Sequence, residues 1–162
     1  MNAQDLEAAR AVAFRFIGYM PRSRAEVERR LARADFAPEV VAKVVAECEA
    51  VGWIDDEAFA RRWVEDRADR KKFGAARLAA ELRRKGIDKE SVTEALSAAS
   101  EEAELERARA AARSRWRADV VAGLAAEARD AEKRKLVNFL QRRGFSWPII
   151  TQVLAETMAN KE

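Results

Sequence analysis

Leu78-Ala79-Ala80-Glu81-Leu82-Arg83-Arg84-Lys85-Gly86-Ile87 is the stretch that decides the fold. Two leucines four apart share one face of a helix, three cations close its negative end, a glycine breaks it, and one large apolar residue follows. The same grammar occurs twice more, as Val27-x3-Leu31-x3-Asp35-Phe36 and as Leu136-x3-Leu140-x3-Gly144-Phe145. Beyond each break the copies stay in step, with Val41 and Val45, Val92 and Leu96, and Ile150 and Leu154. The leucines at 31, 82 and 140 are separated by 51 and 58 residues. Three copies of one helix–turn–helix unit are predicted.

The punctuation agrees. Ser23-Arg24-Ala25-Glu26 is a capping box and sets a helix start near residue 24. Gly86 and Gly144 suit the left-handed residue that ends a helix, and Asp88 and Ser146 suit N-caps of the helices that follow. Pro38 suits a first helical position, where its missing N–H is harmless. Each pair is preceded by another amphipathic stretch, at roughly 4–19, 56–71 and 101–117, and Phe59, Ala60, Trp63 and Val64 share one face of the second. The expected fold is therefore all-α, with nine helices in three three-helix repeats over 1–54, 55–98 and 99–162. Residues 117–130 fit helix, loop or both, because Gly123 interrupts them.

Composition narrows the chemistry. Of 162 residues, 49% are apolar and 36% charged, while Gly and Pro number only 6 and 3, which favours helices. There is no histidine, so the commonest general base and metal ligand is absent. A single cysteine, Cys48, forms neither an intramolecular disulfide nor a zinc site of the usual kind, and points to an intracellular compartment. The glycines stand singly and form no phosphate loop. No catalytic, cofactor or metal residues are assigned, and an enzyme is not expected. Met1-Asn2-Ala3-Gln4-Asp5 shows no basic-then-apolar leader, and no apolar run approaches a membrane span.

The net charge of +3 conceals alternation. Residues 61–85 hold ten basic side chains against four acidic, and residues 107–145 hold eleven against four. Between them, 86–106 hold one basic side chain against seven acidic. The acidic run Glu101-Glu102-Ala103-Glu104-x-Glu106 favours a helix start near 101 over a metal site. The basic blocks have the footprint of phosphate binding or of a surface for an acidic protein. Solvated helix faces are the plainer alternative for any one cluster. The candidate contact residues are Arg61, Arg62, Arg70, Lys71, Lys72, Arg83, Arg84 and Lys85 in the first surface, and Lys133, Arg134, Lys135, Arg142 and Arg143 in the second. Among the aromatics, Trp63 and Trp53 read as packing residues and Trp147 as packed at a helix start. Trp116, flanked by Arg115 and Arg117, reads as packed with base stacking as the rival. Cys48 falls in register with Val41, Val44, Val45 and Val51 as a small buried hydrophobe.

These motifs resemble the RecX family. Phe14-Arg15-Phe16-Ile17-Gly18-Tyr19-x-Pro21-Arg22-Ser23-Arg24-x-Glu26-Val27-x3-Leu31 is similar to the opening repeat of those proteins. Gly52-Trp53-Ile54-Asp55-Asp56-Glu57-x-Phe59-Ala60 resembles their junction into the second repeat. Lys72-x-Gly74-x2-Arg77-Leu78-x2-Glu81-Leu82-x2-Lys85-Gly86-Ile87 is similar to the second helix pair, and Phe139-Leu140-x-Arg142-Arg143-Gly144-Phe145 to the third. Asp35 departs from the glycine of the other copies, and residues 114–130 follow no recognisable pattern.

The resemblance implies a tandem three-helix-repeat protein that binds RecA and its filament on single-stranded DNA. It also implies opposition to filament extension and lower ATPase, strand-exchange and coprotease activity, and so a role in homologous recombination and the SOS response. An elongated, gently curved array suits binding across adjacent subunits of a helical polymer. A cytoplasmic monomer without membrane contact is expected, with direct DNA contact open. Two rivals stand beside it. One is a helix-turn-helix regulator that binds DNA directly, and the other is a helical adaptor scaffold whose basic faces are merely solvated.

Overall fold

The computed structural model describes residues 3–159, apart from the side chains of residues 118 and 119, so Met1 and Asn2 of the amino-terminal segment lie outside it. Ten α-helices and no strand are present among the described residues. They are α1 (Ala3–Tyr19), α2 (Arg24–Ala32), α3 (Pro38–Ala50), α4 (Asp56–Lys71), α5 (Ala75–Arg84), α6 (Lys89–Ser97), α7 (Glu101–Arg115), α8 (Ala118–Ala122), α9 (Ala126–Arg142) and α10 (Trp147–Ala159). The expected nine become ten because residues 117–130 hold both structures that the sequence allows. A five-residue α8 stops at Gly123, and α9 starts afresh at Ala126.

The helix boundaries follow the local chemistry. The Ser23 side chain accepts from the Glu26 N–H, and the Glu26 carboxylate accepts from the Ser23 N–H, completing the capping box. Pro38 is at the start of α3. Asp88 accepts from the N–H groups of Glu90 and Ser91 at 2.9 Å each, opening α6. Ser100 caps α7 through the Ala103 N–H, and the acidic run occupies that helix's first turn. Asp35, Gly86 and Gly144 all have left-handed φ, at 60°, 83° and 86°. The aspartate thus adopts the conformation of the glycines it replaces, at a steric cost they avoid.

The chain divides into two compact units. The first comprises Met1–Trp63 and Leu82–Ala95. In it α1 packs on α2 and α3 around Leu6, Ala9, Ala13, Val27, Leu31, Val44, Val45 and Ile54. Ala9 and Ala13 let the helix backbones approach closely, and each buried Val or Leu stabilises by about 1.5–3 kcal/mol. Cys48 is buried here as expected.

The second unit comprises Val64–Glu81 and Leu96–Glu162. There α7 packs on α9 and α10, with Leu105, Ala108, Ala111 and Ala112 facing Leu136, Leu140, Ile150 and Val153. Trp116 packs against this cluster, so it is a packing residue.

Two tryptophans depart from expectation. Trp147 is 59% exposed, because side chains lean toward a helix's amino end and a first-turn residue projects past it. Trp53 is 50% exposed, resting on Phe14 at 5.3 Å between ring centroids, and Ile54 takes the buried place beside it. Trp63 is half-buried and stacks on Phe59 at 5.7 Å.

Candidate functional site

In the first unit, Arg61 and Arg62 are exposed on α4, and Arg83 and Arg84 are exposed at the end of α5. Arg61 has a loose partner in Glu57 at 3.8 Å. Arg62, Arg83 and Arg84 have no ion pair among the described residues. Lys85 differs. Its ammonium lies 2.6 Å from Glu26 and 5.0 Å from the Trp63 ring, and it is half-buried. Burial opposes ionisation of Glu26, but the Lys85 bond, the Ser23 N–H and the nearby charges outweigh it and hold that carboxyl below its usual value. Lys85 is therefore a joint in the fold.

The joint is specific. Ser23, wholly buried, donates through its hydroxyl to the Lys85 carbonyl at 2.6 Å. Asp56 accepts from the Arg24 N–H at 2.8 Å. The start of α2 thereby finds partners on α4 and on the turn after α5, which satisfies the open Arg24 amide at one and the Lys85 carbonyl at the other.

In the second unit the same joint recurs one repeat further on. The Gly74 N–H donates to the Arg143 carbonyl at 2.7 Å, and the Ala76 N–H to that of Gly144 at 3.2 Å. Glu104 accepts from the Ala75 N–H at 2.8 Å. Open amides of α5 thus meet open carbonyls of α9, and each satisfies the other. The Arg77 guanidinium donates to the Arg142 carbonyl at 3.0 Å, and Arg143 donates to that of Lys71. Lys71-Lys72 and Arg142-Arg143, expected as parts of separate surfaces, are brought together here.

The remaining candidates are arranged more loosely. Arg70 pairs with Asp66 at 2.9 Å within α4. Lys133 pairs with Asp130 at 3.1 Å and Lys135 with Glu132 at 2.6 Å, both along α9. Arg134 is exposed, with no ion pair among the described residues. Arg143 is half-buried over the Phe139 ring at 4.6 Å, so its guanidinium is part of the packing.

Three family models match in order: the first three-helix domain of RecX at residues 9–48, the second at 55–96 and the third at 101–154. The chain belongs to the RecX family. A protein described as regulatory protein RecX from Mycolicibacterium vanbaalenii is 36% identical over 158 residues, which is 96% of this chain and 85% of that one. Its counterpart from Mycobacterium avium is 37% identical over 157 residues, covering 96% and 88%. The crystal structure of RecX from Lactobacillus salivarius superposes with a TM-score of 0.85 over 98% of this chain and 99% of that one, at 22% identity. RecX relatives are named as regulatory proteins, with no catalytic activity indicated. No helix among the described residues is long and apolar enough to cross a membrane.

The RecX repeat register adds a cation that charge runs alone did not single out. Arg33 stands two residues beyond the leucine of its copy, as the candidates Arg84 and Arg142 do, and all three are exposed. Arg29 and Arg30 are also exposed on α2, inside a segment whose acidic residues mask them in a net count. Arg77 was missed because it stands alone in sequence; superimposing the three copies was the signal that finds it.

Proposed function

We propose that this RecX-family chain regulates a RecA-type recombinase by binding the protein and its filament on single-stranded DNA. In this role it opposes filament extension and lowers ATPase, strand-exchange and coprotease activity, tuning recombination and the SOS response in the cytoplasm as a monomer. The observation that carries the reading is the ordered match of all three RecX domains, with relatives named as regulators along 96% of the chain. Repeats spanning 1–54, 55–98 and 99–162 would present successive basic faces to a repeating polymer. A ligand of this kind biases the filament toward whichever state it binds best, and extension slows.

The first set of contact residues is Arg61, Arg62, Arg83 and Arg84 in the first unit, with Arg70, Lys71 and Lys72 in the second unit. The second is Lys133, Arg134, Lys135 and Arg142. Lys85 and Arg143 support these surfaces from within. Cosedimentation with a RecA filament on single-stranded DNA tests the assignment, using Arg83→Glu combined with Arg84→Glu. Filament binding is expected to weaken by about tenfold or more, with unchanged helix content by circular dichroism. Undiminished binding by the folded double variant removes this surface from the account.

A further inference from the structure

The first unit leaves an apolar groove uncovered. Phe14 on α1 is 59% exposed, Val51 at the end of α3 is 62% exposed, and Trp53 beyond it is 50% exposed. All three line one groove of about 460 Å³ between α1 and α3, with Ala11 and Val44 also in its wall. Single apolar side chains on a surface need no explanation, whereas two aromatics and a valine around one concavity mark an interaction site. The buried places beside the two rings belong to Ala13 and Ile54, so the rings themselves are left for something else.

The rim decides the charge of what fits. Glu7 and Glu47 stand at the groove, and Arg10 lies 3.7 Å from one and 2.7 Å from the other, so one cation serves two carboxylates. Next to it, past the turn at Val51–Ile54, a second concavity is lined by Glu49, Asp55, Asp56, Glu57 and Asp88 together with Arg24. Arg24 is itself shared between Glu28 at 2.9 Å and Glu49 at 3.5 Å. Among the described residues lining the two concavities, seven carboxylates thus stand against two cations. Lys43 and Arg61, beside Glu47 and Glu57, do not close the gap. Groups in both concavities feel the excess. Burial, aided by the charges of Glu49 and Asp88, holds the Asp56 carboxyl above its usual value even though the Arg24 N–H donates to it. Burial, and then the charges of Glu47 and Glu49, push up the Cys48 thiol, which lines the groove.

We propose that the α1–α3 groove of the first unit docks an amphipathic helix of another protein, with large apolar side chains seated on Phe14, Val51 and Trp53 and with Lys or Arg at its flanks facing the carboxylates. A helix laid in such a groove presents its anchors from one face, at i, i+4 and i+7. Aromatic residues in the groove supply most of the affinity, and the rim charges select the partner and speed the encounter. The cationic flanks follow from the rim, because an acidic segment or a nucleic-acid strand would bring like charge against it. The inference goes beyond the recombinase reading, which rests on cationic side chains, and each can fail without the other.

The test uses the full chain and two fluorescein-labelled amphipathic peptides of one pattern, leucine with lysine and leucine with glutamate, in anisotropy titrations. The leucine–lysine peptide is expected to bind, and the leucine–glutamate peptide to bind about tenfold more weakly or not at all. The net charge of +3 on the whole chain would give the opposite order. Trp53→Ala and Val51→Lys should each weaken the leucine–lysine peptide by about tenfold or more, with helix content unchanged by circular dichroism. Glu7→Lys combined with Glu57→Lys alters two well-exposed carboxylates, and should weaken that peptide and flatten its salt dependence. That pair decides the matter if Trp53→Ala fails to fold. Preference for the leucine–glutamate peptide, binding unaltered in every folded variant, or no binding of either peptide overturns the proposal. Dimerisation of the parent that Trp53→Ala abolishes, read by sedimentation equilibrium, overturns it too and makes a second copy the occupant.

Discussion

The Ser23 hydroxyl donates a 2.6 Å hydrogen bond to the carbonyl oxygen of Lys85, 62 residues away in sequence. The Ser23 hydroxyl oxygen also accepts from the Glu26 N–H, so one buried side chain both caps α2 and ties it to the turn after α5. Ser23→Ala removes the cap and orphans a carbonyl, and should lower stability by about 1–3 kcal/mol. Urea unfolding followed by circular dichroism measures this, and an unchanged midpoint would contradict it.

Gly74 and Asp35 should respond oppositely to substitution. A Cβ on Gly74 would lie 2.4 Å from the Gly144 carbonyl oxygen, a backbone atom that cannot swing aside. Gly74→Ala is therefore expected to separate α5 from α9 and destabilise by more than about 3 kcal/mol. Asp35→Gly relieves a left-handed aspartate and should raise stability by up to about 1 kcal/mol, after the entropy that glycine adds to the unfolded chain. Thermal melts of both variants decide it.

Acid should weaken the second unit through Glu156. Two hydrogen bonds of 2.7 Å from Arg109 hold this carboxyl at about 2, against 4.5 for a free glutamate. A carboxyl depressed on folding contributes its full stabilisation above the unfolded value and loses it as pH falls toward the folded one. The stability difference between the parent and Glu156→Gln should accordingly shrink from about pH 4.5 down to about pH 2. Both groups are partly exposed, so salt should reduce the difference. A difference constant across that window would contradict the pairing.

Cys48 should react slowly. Burial, followed by the charges of Glu47 and Glu49, pushes its thiol pKa up, which reduces the reactive thiolate. Labelling by a thiol reagent at mildly alkaline pH is expected to track unfolding of the first unit. Rapid labelling of the native protein would show that α3 does not bury this face.

The repeat was legible because its signals are local. Leucines four apart, a cationic helix end and a left-handed break lie within ten residues, and even Asp35 keeps the glycine conformation. Family membership was legible for the same reason. The roles of individual cations were not, because they depend on pairings remote in sequence. Lys85 meets Glu26 across 59 residues and Arg143 meets Lys71 across 72, pairings that charge runs do not show. Trp147 was misplaced because composition does not show that a first-turn side chain projects beyond its helix. The extra helix α8 lay in the one stretch without periodicity.

The central claim is regulation of a recombinase filament, and the most direct measurement is the ATPase rate of the cognate RecA on single-stranded DNA with this protein titrated in. A fall in rate is expected, well below one chain per RecA monomer if extension is blocked and near equal stoichiometry if the filament is coated. Arg83→Glu with Arg84→Glu should shift the titration to higher concentration. An ATPase rate unchanged at every ratio would contradict the account.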